Sequence, residues 1–187
     1  IVKMKVTETH LKDCFVIEPT IFKDERGYFY ESYNKANFNA LLKTNVDFVQ
    51  DNQSKSSKGV LRGLHFQKGN YAQAKLVRVI KGSVLDVCVD IREHSKTFGQ
   101  WFSIVLSESN RKQIFVPRGF AHGFLVLENE TIFSYKCDNV YHKESERGII
   151  YNDETLGIDW NYKGVDLIIS DKDKELPTFK NAFLNES

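Results

Sequence analysis

Two histidines carry the first chemical signal. His65 stands in Arg62-Gly63-Leu64-His65-Phe66-Gln67, beside a glycine in an expected strand. Imidazole is the side chain best matched to general-base work near neutral pH. A lone histidine is more often a structural one, hydrogen-bonded in a core, so His65 by itself decides little. His122 stands in Pro117-Arg118-Gly119-Phe120-Ala121-His122-Gly123-Phe124. One proline and two glycines predict a tight, shaped turn there that presents the ring at a fixed place. Lys75 opens an expected strand: it is either a solvated edge lysine or a cation beside a developing oxyanion. Tyr135 shares a strand face with Phe133 and Cys137, as an ordinary core-edge tyrosine or as a proton donor. Taken one at a time, His65, Lys75 and Tyr135 are each better read as structural.

Three further segments supply polar groups. Asp24-Glu25-Arg26-Gly27-Tyr28-Phe29-Tyr30-Glu31 joins a turn to an aromatic-rich strand. Phe48-Val49-Gln50-Asp51-Asn52 adds amides suited to reading hydrogen-bonding groups on a base or sugar, or is merely an edge strand. Ser170-Asp171-Lys172-Asp173 is a short charged segment and reads as a solvated loop.

The elements that must hold these groups are mainly β. In Ser83–Arg92, Leu85, Val87, Val89 and Ile91 fall on one face, with Val84, Asp86, Cys88, Asp90 and Arg92 on the other. Lys75–Lys81 alternates too, and Gly82 can turn between the two segments. Trp101–Leu106, Gln113–Val116, Phe124–Leu127 and Thr131–Cys137 are further strand candidates, a succession that predicts a sandwich or barrel. Helix is scarce. Asn34 predicts a cap for a short helix over Lys35–Lys43, with Phe38, Leu41 and Leu42 at helical spacing. From about Asp171 the chain reads as turns or a short helix packed on the barrel.

The 187 residues fit one domain, residues 1–187, with no repeat or linker. Ile1, Val2 and Lys3 precede Met4, read as upstream residues and are given no functional weight. Lys plus Arg number 26 against 25 Asp plus Glu, which argues against a general nucleic-acid binder. Cys14, Cys88 and Cys137 are odd in number and have no Cys-x-x-Cys spacing, so they predict neither a disulfide framework nor a zinc ribbon. A reducing cytoplasm is the simplest setting. No apolar run approaches the ~18 residues of a membrane helix, and no secretory signal pattern is seen.

The pattern Pro-x-Gly-x-x-His ending at His122 resembles the second motif of the cupins, a double-stranded β-helix family. Metal-binding cupins contribute His-x-His and a nearby glutamate from their first motif. Here His65 is followed by Phe66 and Gln67, and no Glu occurs from Phe66 to Gly82. A transition-metal site needs three or more protein ligands, so the resemblance is to a cupin without metal. Proton chemistry is then left to side chains.

All these segments in this order, with Lys75–Arg92 and Tyr135–Gly148, resemble the dTDP-4-dehydrorhamnose 3,5-epimerase family from about Phe15 to Pro177. The resemblance implies a cupin-type jelly-roll barrel, a homodimer, no cofactor and no metal. It implies inversion of C3 and C5 of dTDP-4-keto-6-deoxyglucose in dTDP-L-rhamnose biosynthesis. His65 matches the proton-abstracting histidine, Asp173 its paired aspartate, Tyr135 the proton donor across the sugar, and Lys75 a lysine near the keto oxygen. Arg26, Phe29, Glu31, Gln50, Asn52, Arg62, His122 and Glu146 match residues lining the nucleotide-sugar site, and Lys172 stands where relatives place Arg or Lys. A nearby ammonium is expected to lower the Tyr135 phenol's pKa. Asp171 competes with Asp173 for the aspartate role, and Asp173 is preferred on the Lys-Asp pair. Strict alternation puts Arg62 opposite His65, unless a bulge, a strand end or a subunit interface brings it back. The competing readings are a single-carbon epimerase on a related nucleotide-linked keto sugar and, ranked lower, a non-catalytic sugar-binding cupin.

Overall fold

The computed structural model describes residues 4–183 apart from residue 165; Ile1–Lys3, read above as upstream residues, lie outside the described residues. In chain order the strands are β1 (Lys5–Glu8), β2 (Phe15–Glu18), β3 (Phe22–Asp24), β4 (Gly27–Phe29), β5 (Gln50–Ser56), β6 (Leu61–Gln67), β7 (Lys75–Lys81), β8 (Ser83–Asp90), β9 (Trp101–Ser107), β10 (Gln113–Val116), β11 (Phe120–Val126), β12 (Thr131–Cys137) and β13 (Glu146–Gly148). The helices are α1 (Lys35–Leu42), α2 (Asp171–Lys174) and α3 (Phe179–Phe183).

Two antiparallel sheets face each other in a jelly roll. One runs β1-β2-β10-β7-β12-β5 and the other β13-β6-β11-β8-β9, with β3 and β4 forming a separate hairpin. Among the described residues the two sheets are not joined by strand pairing into a closed barrel. Val77, Val79, Ile114 and Phe133 from the first sheet meet Val84, Cys88, Leu106, Phe124 and Val126 from the second in a buried core. Apolar burial of this kind is the main favourable term for such a domain.

The alternation in β8 is present, but both of its faces are buried. Leu85, Val87, Val89 and Ile91 pack under Ile149, Leu156, Trp160 and Phe179, so the chain after β13 covers the outer face of the second sheet. Helix α1 forms as the capping signal predicts: Asn34 accepts from the Asn37 N–H, and Lys43 closes the helix in the left-handed region. Phe38 and Leu42 bury against Leu76 and Phe115 on the back of the first sheet. Leu41 stays 46% exposed, so only part of the expected apolar spacing is used. Cys14, Cys88 and Cys137 are free thiols, and Cys14 and Cys88 meet at 3.7 Å in the core.

Candidate active site

The site begins with a count of residues in β6. On its partner β11, His122 and Phe124 are two apart. Their opposites, His65 and Arg62, are three apart, so β6 carries one extra residue at this bulge. The extra residue undoes the alternation that would separate Arg62 from His65, and both side chains line one cavity of about 540 Å³. Glycine is required on both strands. Gly63 sits at φ +115°, and a Cβ there would stand 2.7 Å from Gly123 Cα. A Cβ on Gly123 would stand 2.7 Å from the Arg62 carbonyl oxygen. The expected turn before His122 is shorter than its sequence suggests. Gly119, at φ +80°, ends it, and His122 sits inside β11 rather than on the turn.

Asp173 reaches the cavity from α2. Ser170 caps that short turn by accepting from the Asp173 N–H. Asp173 is buried, and its two oxygens divide between two partners: Oδ1 lies 2.7 Å from His65 Nε2, and Oδ2 accepts the Gly63 N–H at 3.0 Å. Burial would raise the carboxyl's pKa; the bonds to His65 and Gly63 and the charges of His65 and Lys172 outweigh it and bring the pKa below the ordinary value. An ionised carboxylate only accepts, so the proton lies on Nε2 and Nδ1 is left as the basic nitrogen. Asp171 is exposed and pairs with Lys174, so Asp173 is the one of the two aspartates that bonds His65.

The opposite wall comes from the first sheet. Tyr135 and Lys75 stand side by side on β12 and β7, the ammonium 5.6 Å from the ring centroid, and both line the cavity. The expectation that an ammonium lowers the phenol's pKa is overturned. Burial raises it, with Cys137 adding to that, and the opposing contributions of Asn52 and Arg62 are smaller. Tyr135 therefore stays protonated at neutral pH. Burial lowers the Lys75 pKa, against the pull of Cys137, Asp86 and Glu146.

Asn52 lines the cavity beside Tyr135, and Gln50 reaches it only indirectly, by donating from Nε2 to Asn52 Oδ1 at 3.2 Å. At the mouth, Lys172 donates to Glu146 at 2.6 Å, and Tyr141, absent from the sequence reading, donates to the same oxygen at 2.9 Å. Burial raises the Glu146 pKa, but Lys172, Tyr141 and the charge of His65 together lower it. His122 lines the cavity with Nε2 held by Asp86, a residue the alternation placed on one strand face without assigning it to the site.

Three of the residues singled out in the sequence do not join this group within one chain. Arg26 and Phe29 lie on the exposed β3–β4 hairpin, where Arg26 pairs with Asp24 and Phe29 is 67% exposed. Glu31 accepts from Asn34 and Asn37 at the start of α1. Among the described residues no group of three or more His, Cys, Asp or Glu side chains is arranged to hold a metal ion, and no helix is long and apolar enough to cross a membrane.

Residues 8–181 match the family model described as dTDP-4-dehydrorhamnose 3,5-epimerase. The Escherichia coli K12 protein of that name is 53% identical over 94% of each chain. The crystal structure of the Elizabethkingia anophelis dTDP-4-dehydrorhamnose 3,5-epimerase superposes with a TM-score of 0.92 at 58% identity, covering 95% of this chain and 97% of that one. The dTDP-6-deoxy-D-glucose-3,5-epimerase of Legionella pneumophila, solved in complex with dTDP-4-keto-L-rhamnose, superposes at 0.91 with 48% identity, covering 94% of this chain and 93% of that one.

Proposed function

Because this chain belongs to the dTDP-4-dehydrorhamnose 3,5-epimerase family, we propose that it is an isomerase that inverts C3 and C5 of dTDP-4-keto-6-deoxyglucose in the cavity between its two sheets. The observation that carries the reading is a polarised base and a protonated phenol on opposing walls of one cavity. Protons on C3 and C5 flank the C4 ketone, so loss of either gives an enolate that the carbonyl stabilises. His65 Nδ1 takes the proton, and Asp173 holds the ring and stabilises the imidazolium, as an aspartate does in a catalytic triad. Lys75 offsets charge on the enolate oxygen. Tyr135 returns a proton from the other wall, which inverts the centre. Its raised pKa keeps that proton available at neutral pH.

Arg62 and Lys172 meet the diphosphate; arginine suits it because its planar fork matches phosphate oxygens. Asn52, Glu146 and, through Asn52, Gln50 read the sugar and base. Arg26 and Phe29 serve a second copy of the chain: their hairpin projects exposed aromatics and a guanidinium that its own cavity does not use. A homodimer with that hairpin as part of the interface accounts for both. Three free thiols, all buried, fit a reducing cytoplasm.

The test is incubation with dTDP-4-keto-6-deoxyglucose in deuterated water, following C3 and C5 by NMR. Deuterium at both carbons supports the reading. Deuterium at one makes the protein a single-carbon epimerase. Exchange at neither, with dTDP still bound, refutes catalysis on this sugar.

A further inference from the structure

Among the buried carboxylates that the proposed mechanism does not use, Asp86 is bonded to a cavity-lining histidine. Asp86 is 0% exposed, in the middle of β8, on the apolar face that carries Val84 and Cys88. Its oxygens stand 3.0 and 2.9 Å from the same atom, His122 Nε2. Both oxygens are within hydrogen-bonding reach of a single Nε2–H, which the carboxylate can accept on either oxygen. Nδ1 of His122 then carries the ring's other hydrogen-bonding function, and it makes no hydrogen bond to the described residues.

Burying such a pair brings little stability. An apolar pair of the same volume is often as good or better, so stability alone does not account for the pair. Position supplies a functional account. His122 and His65 are direct partners across β11 and β6, and both line the cavity. Each has a buried aspartate on its Nε2. Asp173 comes from α2 and Asp86 from β8, and Asp86 itself does not line the cavity.

We propose that Asp86 is a positioning residue for the epimerisation. It fixes the tautomer and orientation of His122 so that Nδ1 meets an oxygen of the bound sugar nucleotide, and it acts on turnover through that ring alone. The proposal rests on the function proposed above.

Three measurements on the intact protein test it, once the wild type has shown exchange; a wild type without exchange refutes the function before this proposal is reached. Asp86→Asn keeps the shape and removes the charge. It is expected to lower kcat on the order of 10²-fold while the Kd of dTDP alone changes less than about threefold. His122→Gln is expected to show a similar loss. In the double variant Asp86→Asn/His122→Gln the two losses should merge rather than multiply, because one residue acts through the other. An unchanged kcat in Asp86→Asn, or losses that multiply, overturns the proposal. Should Asp86→Asn fail to fold, nitrogen-15 NMR of histidine-labelled wild type decides alone. A protonated Nε2 on His122 is required, and a bare Nε2 overturns the proposal.

Discussion

Replacing Asp173 with asparagine should disable the enzyme by moving one proton on a neighbouring ring. The carboxylate accepts from two donors, His65 Nε2 at 2.7 Å and the Gly63 N–H at 3.0 Å. Asparagine has one oxygen to offer. The Gly63 amide is buried backbone, and an unpaired N–H there costs about 1–3 kcal/mol. The new side chain therefore turns its oxygen to Gly63 and its NH₂ to His65. That NH₂ must find a lone pair on Nε2, which forces the ring proton onto Nδ1, the atom that has to act as base. An Asp-to-Asn change with the same tautomer consequence costs a Ser-His-Asp triad about 10⁴ in kcat. The expected loss here is roughly 10²- to 10⁴-fold in kcat, read as deuterium incorporation at C3 and C5. Stability should fall only about 1 kcal/mol, the difference between a charge-assisted and a neutral hydrogen bond. For a chain of this length that is a Tm shift of roughly 2–4 °C. A folded Asp173→Asn protein whose kcat stays within about threefold of wild type would refute the assignment of His65 as base and of Asp173 as its orienting partner.

Tyr135→Phe should still let substrate lose a proton but should fail to return it from the opposite wall, so C3 and C5 exchange deuterium with little inversion; normal inversion would assign the donor role elsewhere. Gly123→Ala drives a methyl group to 2.7 Å from the Arg62 carbonyl oxygen and should cost about 1–3 kcal/mol in urea denaturation, with kcat falling as the bulge shifts. Burial would raise the Asp90 pKa, but bonds from Arg92, Ser95 and Thr97 override it and hold the pKa at about 2, below the ordinary 3.8. A depressed folded pKa contributes stability that is fully present above pH ~4 and is lost as pH falls toward about 2, worth about 2 kcal/mol. Asp90→Asn should flatten that part of the acid denaturation curve, and an unchanged acid limb would contradict the account.

What the sequence makes legible here is local. Asn34 followed by Phe38 and Leu42 contains both the cap and the buried face of α1, and the two-residue period of Ser83–Asp90 is the strand itself. The bulge in β6 is not local: a single extra residue is defined only against a partner strand, so alternation along Arg62–His65 misplaces Arg62. Burial of both faces of β8 depends on a covering segment more than fifty residues downstream. The direction of the Tyr135 shift failed for the same reason, because desolvation is a property of the assembled cavity. Asp86 was visible as an acidic residue among Val84 and Cys88, and a carboxylate on an apolar strand face is the signal that would have found it. Arg26, Phe29 and Glu31 came from resemblance to a family, and resemblance does not say which copy of a chain supplies a residue.

The span of the His65–Asp173 pair bears on when this protein becomes active. The two residues are 108 positions apart, and closing a loop of that size is a late and slow kind of contact in folding. The strands that wall the cavity, β5, β6, β7, β11 and β12, all precede α2 in the chain. A partly folded or still-emerging chain would thus hold a pocket with the imidazole present but unoriented. Turnover then reports completion of the fold rather than formation of its core, and proton abstraction from a reactive keto sugar waits until the chain has closed over its outer sheet.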